Sequence, residues 1–289
     1  MPDTRAQDPS RPAEPGLDDL AAARSGSRAA LEALIRAIQP DVYSLALRFL
    51  WHPEDAEDAT QEILIRIITG LEGFRGESRF QTWVYRVACN ALSSAKRGRM
   101  ERMEVTFDAF AEDLARGLSD DPLAVEAGIE EALLLEEVKI GCTLAMLLCL
   151  DRDHRLAYVL GEILELDHNE ASSALEVSPA AFRKRLSRAR QEITSFMRAR
   201  CGLANPANAC RCRRRVNAAV TLGRVDPRNL LFASSAEQAR RFPEVLREIR
   251  LLEEERRAAA LYRSHPRPEP GRDLTAWLKQ VMERQQYPG

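Results

Sequence analysis

The sequence predicts an all-α chain: two small helical domains joined by an acidic linker, then a helical extension. Three observations carry this. Apolar residues recur at intervals of three and four along most of the 289 residues. No segment alternates with period two for long, and capping residues precede several apolar runs. An apolar share of 45% with 30% charge fits packed globular domains and excludes disorder throughout or a collagen-like scaffold. The longest uncharged stretch near the middle, residues 141–150, is about half of what a bilayer crossing needs, so no membrane partner is expected. The N-terminus, MPDTRAQDPSRPAEPG, has acids and prolines where a signal peptide needs an apolar run. A cytoplasmic chain follows, with its six cysteines reduced or metal-bound rather than paired.

Residues 1–25 carry Pro, Asp and Ala without a hydrophobic period and read as a disordered tail. Leu31, Leu34, Ile35 and Ile38 then define a helix from Arg28 that Pro40 stops, and a second runs over residues 41–51. His52-Pro53 opens a third helix over 53–71, and Gly70, Gly73 and Gly76 mark a loop. A long helix over 79–97 places Phe80, Trp83, Val84, Val87, Ala88 and Ala91 on one stripe, closing a four-helix unit over 26–98. Residues 99–128 read as a linker. The second unit, 129–200, begins with a helix to Leu150, a turn at Asp151 to Asp153, and a helix carrying Leu156, Val159, Leu160, Ile163 and Leu164.

A helix-turn-helix follows. Asp167 with Glu170 forms a capping box for a short helix to Leu175. After Glu176-Val177, Ser178-Pro179 starts a second helix with Phe182, Leu186, Ala189, Ile193 and Phe196 on one stripe. In the extension, 201–289, Ser235 and Gln238 cap a helix that includes Pro243 and runs to Tyr262. Leu274, Trp277, Leu278, Val281 and Met282 make a final amphipathic helix. Such apolar faces must be covered; packing on the second unit is expected, with binding to polymerase or a regulator as the alternative.

The net charge of −2 hides a strong asymmetry. Residues 101–137 hold twelve Asp/Glu against two Arg, and residues 167–215 hold eleven Arg/Lys against four acids. A basic segment in a nearly neutral chain points to a polyanion partner for that segment, which the acidic stretch can shield internally. Arg183, Lys184, Arg185, Arg188 and Arg190 line the second helix of the helix-turn-helix. The bland reading is a solvated hairpin face, but one-signed charge with few local acids suits a major-groove reader. Glu176 stands where a positive φ is often needed, at a cost of roughly 1 kcal/mol.

On the 79–97 helix a second stripe holds Arg79, Thr82, Arg86, Asn90 and Arg97, which can track phosphates and touch bases. Trp83 lies on the apolar stripe and reads as core, whereas Tyr85 lies off it and is the better base-stacking candidate. Asp55, Asp58 and Glu62, with Gln61 beside them, share a face of the third helix. Solvation explains such a face adequately; an acidic surface also suits a basic protein partner and cannot touch phosphates.

Cys201, Cys210 and Cys212 precede Arg213, Arg214 and Arg215. Three readings stay open. The thiols bind Zn²⁺ or Cu⁺, with Cys142, Cys149, His154 or His168 completing the set; they pack an ordered loop; or they sense redox state. Their spacing is not that of a zinc knuckle. No phosphate-binding glycine loop, HExxH or nucleophile–base pair supports an enzyme, and no cofactor beyond that metal is expected.

The segments DAEDATQEILIRII (55–68) and FRGESRFQTWVYRVACNAL (74–92) resemble the second conserved region of extracytoplasmic-function sigma factors of bacterial RNA polymerase. DHNEASSALEVSPAAFRKRLSRAR (167–190) resembles their fourth region, and the resemblance spans residues 28–198. It implies that Asp55, Asp58, Gln61 and Glu62 dock on the clamp helices of the largest subunit of core polymerase. It gives recognition and opening of the −10 element to Arg79, Thr82, Tyr85, Arg86 and Asn90. The fourth region would bind the polymerase flap and read the −35 element through Ser178, Ala180, Ala181, Arg183, Lys184, Arg185 and Arg188. Promoter DNA and an anti-sigma factor join core polymerase as implied partners. Glu176 replaces the family's usual glycine, and Ala171 a larger apolar residue. The extension is long for the family and is expected to stand in for a separate anti-sigma protein. The alternative is a helix-turn-helix regulator acting on duplex DNA without polymerase, which leaves the first unit unexplained.

Overall fold

The Ser27 hydroxyl accepts from the Ala30 amide at 3.4 Å and starts the first long helix, α2 (Arg28–Leu50), after a short α1 (Leu17–Arg24). The computed structural model describes residues 15–121, 123, 130–273 and 276–277. Leu20 and Ala23 of α1 are buried, so part of the expected disordered tail is helix; residues 1–14 lie outside the described residues. Pro40 lies inside α2 and does not end it. Ile35, Ile38, Val42 and Leu45, on either side of the proline, are each under 3% exposed. Full burial of such side chains contributes about 1.5–3 kcal/mol each, against a proline penalty of about 3 kcal/mol, so the continuous apolar face wins.

Helix α3 (Pro53–Gly70) has proline at its start and the His52 ring accepting from the Glu54 amide at 3.3 Å. Helix α4 (Phe80–Ser94) carries the expected apolar stripe and stops short of Arg97. The acidic segment expected as a plain linker contains α5 (Phe107–Arg116), capped by the Thr106 hydroxyl accepting from the Ala109 amide at 3.2 Å. Its Phe110 stacks on Phe196 with ring centroids 5.5 Å apart. Three apolar side chains, Phe107, Phe110 and Leu114, at helical spacing suffice to order the segment against a waiting aromatic surface.

Four helices form the second unit: α6 (Glu131–Leu148), α7 (Arg152–Tyr158), α8 (His168–Ala174) and α9 (Pro179–Arg200). The turn expected at Asp151 to Asp153 is a helix start, with Asp151 accepting from the His154 amide at 2.8 Å. In the extension, α10 (Cys212–Thr221) was not foreseen, and the single long helix expected to Tyr262 is two, α11 (Ala236–Leu251) and α12 (Glu254–Arg263), parted by extended backbone at Leu252. Helix α12 buries Leu261 and Tyr262 beside α9 and the π-helical segment Val159–Ile163 that continues α7, so the extension packs on the second unit. Of the final amphipathic helix only 276–277 are described, with Asp273 accepting from the Ala276 amide at 2.9 Å; Leu274, Leu278, Val281 and Met282 lie outside the described residues. Among the described residues the only strand-like pairing is an isolated bridge, Cys201 to Cys210.

One apolar cluster runs from Leu20 in α1 to Tyr262 in α12, so the segments share a core. Trp51, ending α2, donates from its indole to the Gly141 carbonyl at 2.9 Å and meets the Phe232 ring edge-on, tying the first unit to α6 and the extension. A polar joint adds to this. Arg152 donates to the α4 C-terminal carbonyls of Leu92, Ser93 and Ala95, the last at 2.7 Å. Arg155 donates to the Phe49 carbonyl at 2.7 Å, and both arginines grip Glu101. Burial pushes the Glu101 carboxyl up, and the two guanidinium groups outweigh it and hold it below the usual range.

Candidate nucleic-acid and partner interfaces

Asp167 accepts from the amides of Asn169 and Glu170 at 2.7 and 3.0 Å, fixing the start of α8. Glu176 takes the left-handed conformation at φ 54°, which turns the chain toward α9, and the Ser178 hydroxyl accepts from the Ala181 amide at 3.2 Å. Phe182, Leu186, Ala189, Ile193 and Phe196 are all buried, so the opposite side of α9 faces solvent. Ser178, Ala180, Arg183, Lys184 and Arg188 are exposed there, and Ala181 is half-buried. Among the described residues Arg183, Lys184 and Arg188 have no acidic partner. Arg185 differs: Asp153 lies 2.7 Å from its guanidinium. Arg190 is held by Glu162 at 2.5 Å. Arg198 and Arg200 in the last turn of α9 are exposed as well, and among the described residues no ion pair holds them, so cations left for a polyanion stand at both ends of the helix.

The polar stripe of α4 is partly spoken for. Arg79 lies 3.2 Å from Glu170, and Asn90 donates to Glu176 at 2.9 Å, so α4 meets the helix-turn-helix directly. Thr82 and Tyr85, expected on an open face, are both buried. Their place off the apolar stripe did not leave them in solvent, because α4 is packed by α2, α3 and α8 together. Tyr85 is close enough to the buried Arg48 for their charges to interact. Trp83 is core, against Phe74 and Phe80 at 5.5 and 5.7 Å. Arg86 is half-buried, and Arg97 pairs with Glu104.

On α3, Asp58 and Glu62 are exposed, Gln61 is half-buried, and Asp55 turns inward to accept from the Arg99 amide at 2.7 Å. Ile65, 38% exposed, continues the Asp58–Glu62 stripe and was missed. Its spacing of seven and three from those carboxylates was the signal available. Glu62 pairs with Arg66 one turn on, and Asp58 with Arg272 of the extension at 3.1 Å.

The acidic segment shields the C-terminal end of the basic run, Arg213 to Arg215, and with it Arg224 and Arg240 farther along the extension. Asp113 binds Arg215 at 2.8 Å and Arg224 at 2.6 Å, Asp120 binds Arg214 at 2.8 Å, and Glu130 binds Arg240. Burial raises the Asp113 carboxyl, while Arg224 and Arg215 outweigh it and hold it below the carboxylate range.

Cys201, Cys210 and Cys212 lie close enough to Cys142 to interact electrostatically, and all six cysteines are free thiols. Burial pushes all four thiols up, Cys210 to about 11. Among the described residues no group of three or more His, Cys, Asp or Glu is placed to hold a metal ion. His154 is bonded to Asp151, and His168 packs on Phe182. Cys201 is buried in the main apolar cluster, and the half-buried Cys142, Cys210 and Cys212 pack against it.

Two family models match the chain, Sigma-70 region 2 over residues 34–102 and Sigma-70, region 4 over residues 140–193. The chain is similar to the RNA polymerase sigma-H factor of Pseudomonas aeruginosa, 29% identical over 170 residues that cover 58% of this chain and 86% of that protein. It is similar to the ECF RNA polymerase sigma-E factor of Escherichia coli, 28% identical across 59% of this chain and 87% of that one. For the ECF RNA polymerase sigma factor SigE of Mycolicibacterium smegmatis the identity is 28%, across 60% and 65%. Among solved structures, CnrH in complex with the cytosolic domain of CnrY overlaps 63% of this chain and 96% of its own, with 24% identity and a TM-score of 0.43. Among the described residues no helix is long and apolar enough to cross a membrane. Both family models end before residue 194, so the segment beyond has its account in the contacts above.

Proposed function

We propose that this chain is an extracytoplasmic-function sigma factor of the sigma-70 family, which binds core RNA polymerase and directs promoter-specific initiation. The observation that carries the reading is a division of charge. An exposed acidic and apolar stripe, Asp58, Glu62 and Ile65, lies in the segment matching region 2. Arg183, Lys184 and Arg188, which have no acidic partner among the described residues, stand on the outer face of α9 in the segment matching region 4.

In this reading the α3 stripe docks on core polymerase, with Asp55 and Gln61 at its margin. The Ser178 to Arg188 face of α9 enters the major groove of the −35 element, Ser178, Ala180 and Ala181 bringing the backbone close and the cations contacting phosphates and bases. Arg79, Arg86 and Asn90 meet the −10 element once α4 parts from α8, and Thr82 and Tyr85 become accessible in the same movement. Unstacking a base costs a few kcal/mol, and stacking with backbone contacts offsets a similar amount, so opening needs no nucleotide hydrolysis by this chain. A duplex-binding regulator without polymerase would have no use for the region 2 match over 34–102.

The test is association with core polymerase and transcription in vitro. Glu62→Arg with Ile65→Ala is expected to weaken core binding about tenfold, a change of about 1.4 kcal/mol. Unchanged binding by this double variant removes the docking assignment.

A further inference from the structure

Residues 265–273 read His-Pro-Arg-Pro-Glu-Pro-Gly-Arg-Asp. Proline at alternate positions favours an extended, pre-ordered chain with little entropy left to lose on binding. This segment crosses the first unit. Arg267 pairs with Asp41 of α2. Arg272 reaches α3, with Nε 3.1 Å from Glu57 and Nη1 3.1 Å from Asp58. The buried Glu57 carboxylate also accepts from the amides of Gly271 at 2.7 Å and Arg272 at 3.3 Å. The segment is anchored at both ends. Upstream, His265 Nε2 lies 3.1 Å from the Thr143 hydroxyl; downstream, Trp277 packs on the main core cluster.

Resting on the docking reading above, we infer that residues 266–273 form a strap that occupies the edge of the polymerase-docking face and competes with core polymerase for it. Arg272 supplies to Asp58 the positive charge that a basic partner would bring. The contact is built to be displaced. Arg267 and Arg272 are about half exposed and Asp58 is 69% exposed, so the outer side of the strap lies where partners and salt compete, while Asp41 and Glu57, at 13% and 6%, hold it from below. An open cleft bounded by Gln39, Pro40 and residues 267–273 lies along the strap, which spans its support without burying any of its own side chains fully. Lifting it exposes little apolar surface, and the anchors at His265 and Trp277 keep it within reach for return.

The experiment is equilibrium binding of the full-length chain to core polymerase, comparing wild type with Arg267→Gln plus Arg272→Gln. This change removes the strap's positive charges without adding acids that could attract a basic partner. A second variant, Pro268→Gly plus Pro270→Gly, loosens the strap and leaves its charges in place. Both are expected to bind core about three- to tenfold more tightly. Both should also lose amide exchange protection at Gly271 in the free protein. Wild type that binds core, with both variants equal to it or weaker, overturns the strap and leaves the docking face standing. Wild type that fails to bind at any salt, while the variants still free the Gly271 amide, overturns the docking reading and the competition with it.

Discussion

Asn90 at the end of α4 and Glu176 in the turn of the helix-turn-helix are joined by a 2.9 Å hydrogen bond from Nδ2 to Oε2. Glu176 holds φ at 54°, a conformation that costs a non-glycine residue about 1 kcal/mol. The backbone cost and the contact between units thus meet in one side chain. Glu176→Gly is expected to raise the melting temperature by about 2–4 °C, the shift that about 1 kcal/mol produces in a chain of this size. The same change should lengthen the distance between probes on α4 and α9. A melting point that falls would show that the contact outweighs the strain.

Glu137 pins the extension. Its carboxylate accepts from three consecutive amides, those of Leu231, Phe232 and Ala233, at 2.8–2.9 Å. Glutamine offers one acceptor oxygen and sets an amino group against donors, leaving a buried amide without a partner. Glu137→Gln is expected to cost about 1–3 kcal/mol in chemical denaturation and to speed amide exchange at residues 231–233. A loss below about 0.5 kcal/mol, the range of an ordinary surface change, would count against the carboxylate as the anchor.

Acid should loosen the extension before the rest. Burial first, then Lys139 and Arg48, hold His265 well below its ordinary pKa, and its ring touches the Thr143 hydroxyl. Unfolded histidine takes up its proton near pH 6.5, so the folded chain binds fewer protons below that value. Stability from this site is full above about pH 6.5 and declines as pH falls below it. Glu101 has the carboxylate sign: held below its ordinary value, it stabilises the joint above about pH 4.3 and loses that effect as pH falls further. Exchange protection in α12 is expected to fall between about pH 6.5 and 5, with the contact between units persisting to lower pH. His265→Gln should flatten the first phase; a phase that survives it belongs to another group.

Much of this was legible in the sequence because it was local. The Asp167 and Ser178 caps, the buried stripe of α9 and the left-handed Glu176 all follow from spacing and side-chain chemistry within a turn or two. What failed depended on remote surfaces. Pro40 remains in a helix because buried residues on both sides hold it there. Tyr85 and Thr82 are covered because a second unit packs on α4, a fact their own helix does not encode. Helix α5 forms on Phe196, which lies far along the chain. Asp58 meets Arg272 from a segment whose course no periodicity describes.

The pairing of Arg214, Arg215, Arg224 and Arg240 with Asp120, Asp113 and Glu130 has a consequence for how a duplex approaches. With those guanidinium groups neutralised, the extension attracts a distant polyanion less, and more of the pull comes from the exposed cations of α9, Arg183, Lys184, Arg188, Arg198 and Arg200. In the proposed reading, incoming DNA is therefore turned toward the outer face of α9 before any base is touched.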